Sequence, residues 1–107
     1  MFLVLQVEIC HYHIKLKNSS MKIAVWDTYV DRENGKIMHF DILVPDTLTD
    51  EQKIFGFGKD YLKNKPFKTG PLSAKECRLC HIEQAPEEII SIIKKNGFSI
   101  IEMENCN

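Results

Sequence analysis

The stretch Cys77-Arg78-Leu79-Cys80-His81 gathers two thiols and an imidazole within five residues. Cysteine and histidine at this spacing have three chemical uses: covalent haem attachment, a dithiol redox pair, or part of a tetrahedral zinc site. Backbone conformation decides among them. On a helix, Cys77 and Cys80 share a face and could chelate or carry haem, and the capping-box letters Ser73-Ala74-Lys75-Glu76 just upstream would favour that form. In a tight knuckle, the two thiolates could grip zinc, with His81 and a distant group such as Cys106 or His39 completing the tetrahedron. On a strand, residues three apart point to opposite faces, and joint chelation becomes difficult.

Haem is the weakest of the three, because a c-type cytochrome is largely helical around its cofactor and this chain opens with a hairpin pattern and no export signal. A thioredoxin-like pair needs its first cysteine at a helix start, whereas a cap at Ser73 would put Cys77 inside the helix. Zinc held by Cys77, Cys80, His81 and Cys106 is the better functional reading. Against it stands simple packing: free thiols behave as small apolar side chains, and a buried strand would absorb them.

A second group of chemically able residues is Asp27, His39 and Asp41. Carboxylates beside an imidazole are ordinary acid, base and orienting equipment, so an enzyme site on the first hairpin is a further possibility. Ile23, Val25 and Tyr29 alternate along one strand, Met38, Phe40, Ile42 and Val44 along the next, and Asn34-Gly35 between them is a favoured hairpin turn. Taking Asn34-Gly35 as a two-residue turn sets Glu33 opposite Lys36, Thr28 opposite Asp41 and Val30 opposite His39. In that register Trp26, Thr28, His39 and Asp41 line the less apolar face. Asp27 is left among Val25, Tyr29 and Ile42, where a carboxylate needs a partner or a raised pKa. The three groups would then meet only at an edge, which makes an enzyme the weaker reading.

The elements that must position these residues are marked by local signals. Pro45-Asp46 ends the second strand, and Thr49-Asp50-Glu51-Gln52 is a capping box for a helix from Asp50 to about Lys63. Its stripe is Ile54, Phe55, Gly58, Tyr61 and Leu62, with Gly58 at the centre, where a missing side chain lets the backbone approach the sheet. The glycines of Gly56-Phe57-Gly58-Lys59 fall inside this helix and do not form a phosphate loop. Lys65-Pro66 and Thr69-Gly70-Pro71 mark a loop. A second helix starts at Pro86 with Glu87 and Glu88 at its positive end, finishes with Lys94, Lys95 and Gly97, and carries the stripe Ile89, Ile90 and Ile93. Phe98 to Met103 then reads as a returning strand.

At 107 residues, with 44% hydrophobic and 27% charged side chains, the chain suits one folded domain and lacks the signature of disorder. A net charge of -1 offers no field for nucleic-acid phosphates, so no nucleic-acid partner is expected. The apolar run Phe2 to Leu5 is too short to span a membrane, and no basic residue precedes it as in a secretory signal. A cytoplasmic location follows as the expectation, and with it free thiols and no disulfide scaffold. Residues 1–20 read as an N-terminal extension to a domain over 21–107, with Met21 opening the clean strand pattern. Cys10, His11 and His13 in that extension suit a loose extra strand better than a metal cluster.

The segments MKIAVWDTYV, GKIMHFDILVP, AKECRLCHIEQAPEEI and MENCN, in that order and spacing, resemble a small bacterial family, the domain-of-unknown-function family numbered two thousand and twenty-four. The resemblance covers Met21 to Asn107 and implies a compact α+β domain of two helices and four strands, with no activity attached. It places Asp27, Thr28 and Tyr29 in the first strand, His39, Phe40 and Asp41 in the second, and Cys77, Cys80 and His81 in the third. The expected architecture is ββαβαβ, a four-stranded mixed sheet with both helices on one face. The other face would be partly open, and Trp26, Val30, Ile37 and Leu43 would offer apolar surface for a homodimer or a protein partner. The most concrete functional expectation is a zinc-binding module; an interaction domain with purely structural cysteines is the alternative, and an enzyme the weaker one.

Overall fold

A computed structural model describes residues 21–107, so the expectations for residues 1–20 lie outside the described residues. The elements run β1 (Lys22–Arg32), β2 (Lys36–Pro45), α1 (Glu51–Lys63), β3 (Cys77–Gln84), α2 (Glu87–Asn96) and β4 (Ser99–Glu104). This is the expected ββαβαβ order of an α+β fold.

The sheet is antiparallel throughout rather than mixed, in the order β3-β1-β2-β4. Helix α1 and the loop after it carry the chain past β1 to the far edge, so β3 runs parallel to β2 but is separated from it by β1. Helix α2 then crosses to the other edge, where β4 pairs with β2. No two strands of like direction are neighbours.

The helices lie on opposite faces, not on one. Ile54, Phe55 and Leu62 of α1 pack with Ala24, Trp26, Val30, Phe40, Ile42 and Val44, whereas Ile90 and Ile93 of α2 pack with Ile23, Val25 and Leu43. The physical reason lies in the runs Ile23-Ala24-Val25-Trp26 and Ile42-Leu43-Val44, which are continuously apolar rather than alternating. Both faces of the sheet need cover at that end. The surface drawn for a homodimer therefore does not exist in that form: Trp26, Val30 and Leu43 are core, and of the four only Ile37 is exposed.

Local details follow the sequence with small shifts. The cap of α1 is Asp50, not Thr49, because its carboxylate accepts from the Gln52 and Lys53 amides. Gly58 has the expected role: a Cβ there would lie 2.5 Å from Leu72 Cδ1 and 2.9 Å from Ile42 Cδ1. The Ser73/Glu76 box also closes, with Ser73 Oγ 2.7 Å from Glu76 Oε1, yet it holds a single turn that runs straight into β3.

Candidate functional site

The hairpin turn decides which side chains meet. Three residues, Glu33 to Gly35, form it, with Asn34 and Gly35 both at positive φ, so that Arg32 rather than Glu33 faces Lys36. This shifts the register by one residue from the two-residue turn and moves one strand's side chains to the other face relative to its neighbour. Asp27 now stands opposite Asp41, and Tyr29 opposite His39. The assignment of Asp27 to a face apart from His39 and Asp41 is thereby corrected: all three share the face that carries Val25 and Leu43.

That face is only half covered. The ten residues of α2 extend about 15 Å, against about 33 Å for the ten of β2. The isoleucines of α2 cover Ile23, Val25 and Leu43, and the turn end of the same face holds Asp27, Tyr29, His39 and Asp41.

Their geometry is close. His39 Nε2 lies 3.3 Å from Asp27 Oδ1 and 3.8 Å from Asp41 Oδ1, and one ligand atom from each residue falls within 4.8 Å of the others. Tyr29 stacks on His39 with ring centroids 4.1 Å apart and planes 11° from parallel, which fixes the imidazole from above. Asp41 is 9% exposed, and its Oδ1 is buried with no hydrogen-bond partner among the described residues. His39 Nε2 at 3.8 Å is an ion-pair contact to that oxygen rather than a hydrogen bond, and a buried carboxylate oxygen without one is costly.

The electrostatics follow from these contacts. Burial, and then the neighbouring Asp27, push the Asp41 carboxyl up to about 7. Asp27 is held below its ordinary value, first by its hydrogen bond with Asp41 and further by His39. Below about pH 7 the two carboxyls therefore hold one proton between them.

The pentapeptide borders the same site through an irregularity in β3. Val25 pairs with His81 and Trp26 with Leu79, which leaves Cys80 as the extra residue of a β-bulge. Cys80 and His81 consequently project together: His81 Nδ1 is 3.2 Å from Cys80 Sγ, and its Nε2 is 2.6 Å from Glu83 Oε1. Burial, and then the Asp27 and Asp41 carboxylates, push the Cys80 thiol up. Arg78 stands opposite Asp27, and Glu104 opposite His39, both exposed.

Cys77 and Cys106 go elsewhere. Both are buried in the core under α1, Cys77 accepting a hydrogen bond from Thr28 Oγ1 at 3.3 Å and Cys106 donating to the His39 carbonyl at 3.4 Å. The structure therefore divides the expected zinc ligands, with Cys77 and Cys106 on one side of the sheet and Cys80 and His81 on the other. Among the described residues, the group of three potential ligands that does converge is Asp27, His39 and Asp41. Tyr29 and Glu83 were not foreseen as site residues. The alternation of His81 and Glu83 along one strand is the signal that could have found the second.

Residues 21–103 match the family described as a domain of unknown function, DUF2024. The chain belongs to that family. It is also similar to protein NE1680 from Nitrosomonas europaea, solved by NMR as a structural-genomics target: 40% identity, a TM-score of 0.67, and coverage of 81% of this chain and 100% of that one. No curated protein matches. In this DUF2024 domain no helix among the described residues is long and apolar enough to cross a membrane. Two shallow surface depressions lie away from Asp27 and Asp41, one lined by Asp60, Tyr61, Asn96 and Phe98, the other by Lys59, Leu62, Pro71 and Leu72. Chemically, the Asp27–His39–Asp41 group can do two things: hold a proton between its carboxyls, or exchange that proton for a cation.

Proposed function

We propose that this domain is a metal-binding module whose primary ligands are Asp27, His39 and Asp41. The observation that carries the reading is that Asp41, whose buried Oδ1 has no hydrogen bond among the described residues, brings a carboxylate oxygen within 4.8 Å of a second carboxylate and an imidazole nitrogen. Oxygen and nitrogen ligands bind a zinc-like ion at about 2.0–2.2 Å, which puts ligand atoms roughly 3.5 Å apart in a tetrahedron. The separations of 3.3 and 3.8 Å from His39 Nε2 need little adjustment to meet that. A cation would replace the proton between the carboxyls and give the orphan oxygen a partner.

The test is titration of metal-free protein, purified without a histidine tag, with zinc, cobalt and magnesium salts, read by calorimetry and thermal unfolding. Zinc at about a hundred times its dissociation constant should add about 2.7 kcal/mol, a rise of roughly 10 °C or more for a domain of this size. His39→Ala and Asp41→Asn should each remove the shift. Unchanged melting of the parent protein across all three metals would end this reading.

A further inference from the structure

The bulge in β3 is a device that regular strand geometry would not need. It turns two successive residues, Cys80 and His81, toward the face that carries Val25 and Asp27 of the neighbouring β1, and it does so at an exposed edge strand where both are reachable from solvent. Resting on the metal-site reading above, we propose that Cys80 supplies a thiolate as the fourth ligand of the Asp27–His39–Asp41 site and that the site takes a thiophilic, zinc-like cation in preference to magnesium or calcium.

Three observations lead there. The bulge turns Cys80 toward the face that carries Val25 and Asp27, with its Sγ 3.2 Å from His81 Nδ1, so its sulfur lies at the margin of the group of three, though outside it. Three protein ligands leave a tetrahedral ion one position short, and of the described cysteines Cys80 is the one not buried in the core. The orphan Oδ1 of Asp41 marks the interior of the site from the opposite side. Ligand softness then sets the ion: a mixed sulfur, nitrogen and carboxylate set suits zinc or cobalt, whereas magnesium and calcium favour oxygen alone.

Ligation breaks the Cys80 S–H bond and forms a sulfur–metal bond. The thiol proton and the proton held by the Asp27–Asp41 pair both leave to solvent, which reaches Cys80 at the exposed edge strand. Oxidation states do not change, and the ion's two charges replace the two protons.

Cobalt as the bound probe distinguishes the layers of this argument. The cobalt-loaded parent protein should show visible ligand-field bands together with a near-ultraviolet sulfur-to-cobalt charge-transfer band. Cys80→Ser should keep the ligand-field bands, lose the charge-transfer band and bind about tenfold or more weakly. Cys77→Ser should leave both bands unchanged, and magnesium in about thousandfold excess should not displace the cobalt. Ligand-field bands without charge transfer in the parent protein, or charge transfer that survives Cys80→Ser, would overturn the thiolate while leaving the three-residue site standing. No cobalt bands at all would overturn the metal site itself.

Discussion

The two faces of the β1–β2 hairpin are built from residues that alternate one by one, and they solve opposite problems. Beneath α1, Thr28, Val30, Met38 and Phe40 are each fully buried, and even the polar Thr28 is satisfied by bonds to the Trp26 carbonyl and the Cys77 sulfur. One residue along, Asp27, Tyr29, His39 and Asp41 form a half-open cluster that leaves a buried oxygen unpartnered. The first face has orphans too, since Trp26 Nε1 and Arg32 Nε are buried without a hydrogen-bond partner among the described residues, but it gathers no carboxylates. The second buries a carboxylate oxygen without a hydrogen bond beside another acid and an imidazole, and a cluster of that kind is where function is to be sought.

The contrast can be broken most strongly from the core side. Phe40 is 0% exposed and packs against Tyr61 with ring centroids 4.7 Å apart, so Phe40→Ala should cost about 3–5 kcal/mol in urea unfolding. His39→Ala, next to it on the other face, should cost well under half of that. Equal losses would mean that the two faces are not energetically distinct.

Asp41 sharpens the comparison with a change of opposite sign. Its folded pKa, pushed up to about 7, exceeds the ordinary carboxylate value. Between those two values the folded state binds a proton that the unfolded state does not, and stability of the metal-free protein falls as pH rises from about 4 to about 7. Asp27, held low, works the other way: its contribution is present above the ordinary value and is lost as pH falls through its lowered one. Asp41→Asn mimics the protonated acid, so it should flatten the fall between pH 4 and 7. At pH 8 it should stabilise the metal-free protein by about 2 kcal/mol, roughly half the unscreened linkage because the cluster is open to solvent. The same substitution removes a ligand. A variant that is more stable without metal and unable to gain stability from it is the expected signature of a site that trades stability for binding.

How much of this was legible in the residues depends on scale. The first hairpin, the α1 stripe with Gly58 at its close approach, the α2 boundaries and the last strand followed from periodicity and capping, because those signals act within a turn or two of the chain; β3 came only from the family resemblance, since its residues alone left helix, knuckle and strand open. The face of each helix did not, because a two-sided core shows only as the unbroken runs Ile23–Trp26 and Ile42–Val44, and α1 alone would have accounted for half of those residues. The site was divided for a smaller reason. Asn34-Gly35 matches a two-residue turn, and the third turn residue moved Asp27 across to His39 and Asp41. Likewise, strand alternation rightly sent Cys77 and Cys80 to opposite sides, but the bulge that turns Cys80 and His81 together arises from pairing with β1 and has no local signature.

Tyr29 offers the finest test. Its ring covers one side of His39, yet 49% of the residue is exposed, so little apolar area would be returned to water on truncation. Tyr29→Ala should therefore change stability by no more than about 0.5 kcal/mol, as for an ordinary surface position. What the stacked ring does is hold the imidazole edge toward the two carboxylates, and a loosened ligand weakens an ion it must meet at fixed distance. Zinc affinity should then fall about tenfold in Tyr29→Ala and recover in Tyr29→Phe, which keeps the stacking and loses only the hydroxyl. A loss shared by Tyr29→Phe would assign the effect to the hydroxyl instead, and unchanged affinity in Tyr29→Ala would show that His39 is positioned by its backbone and by Asp27 alone.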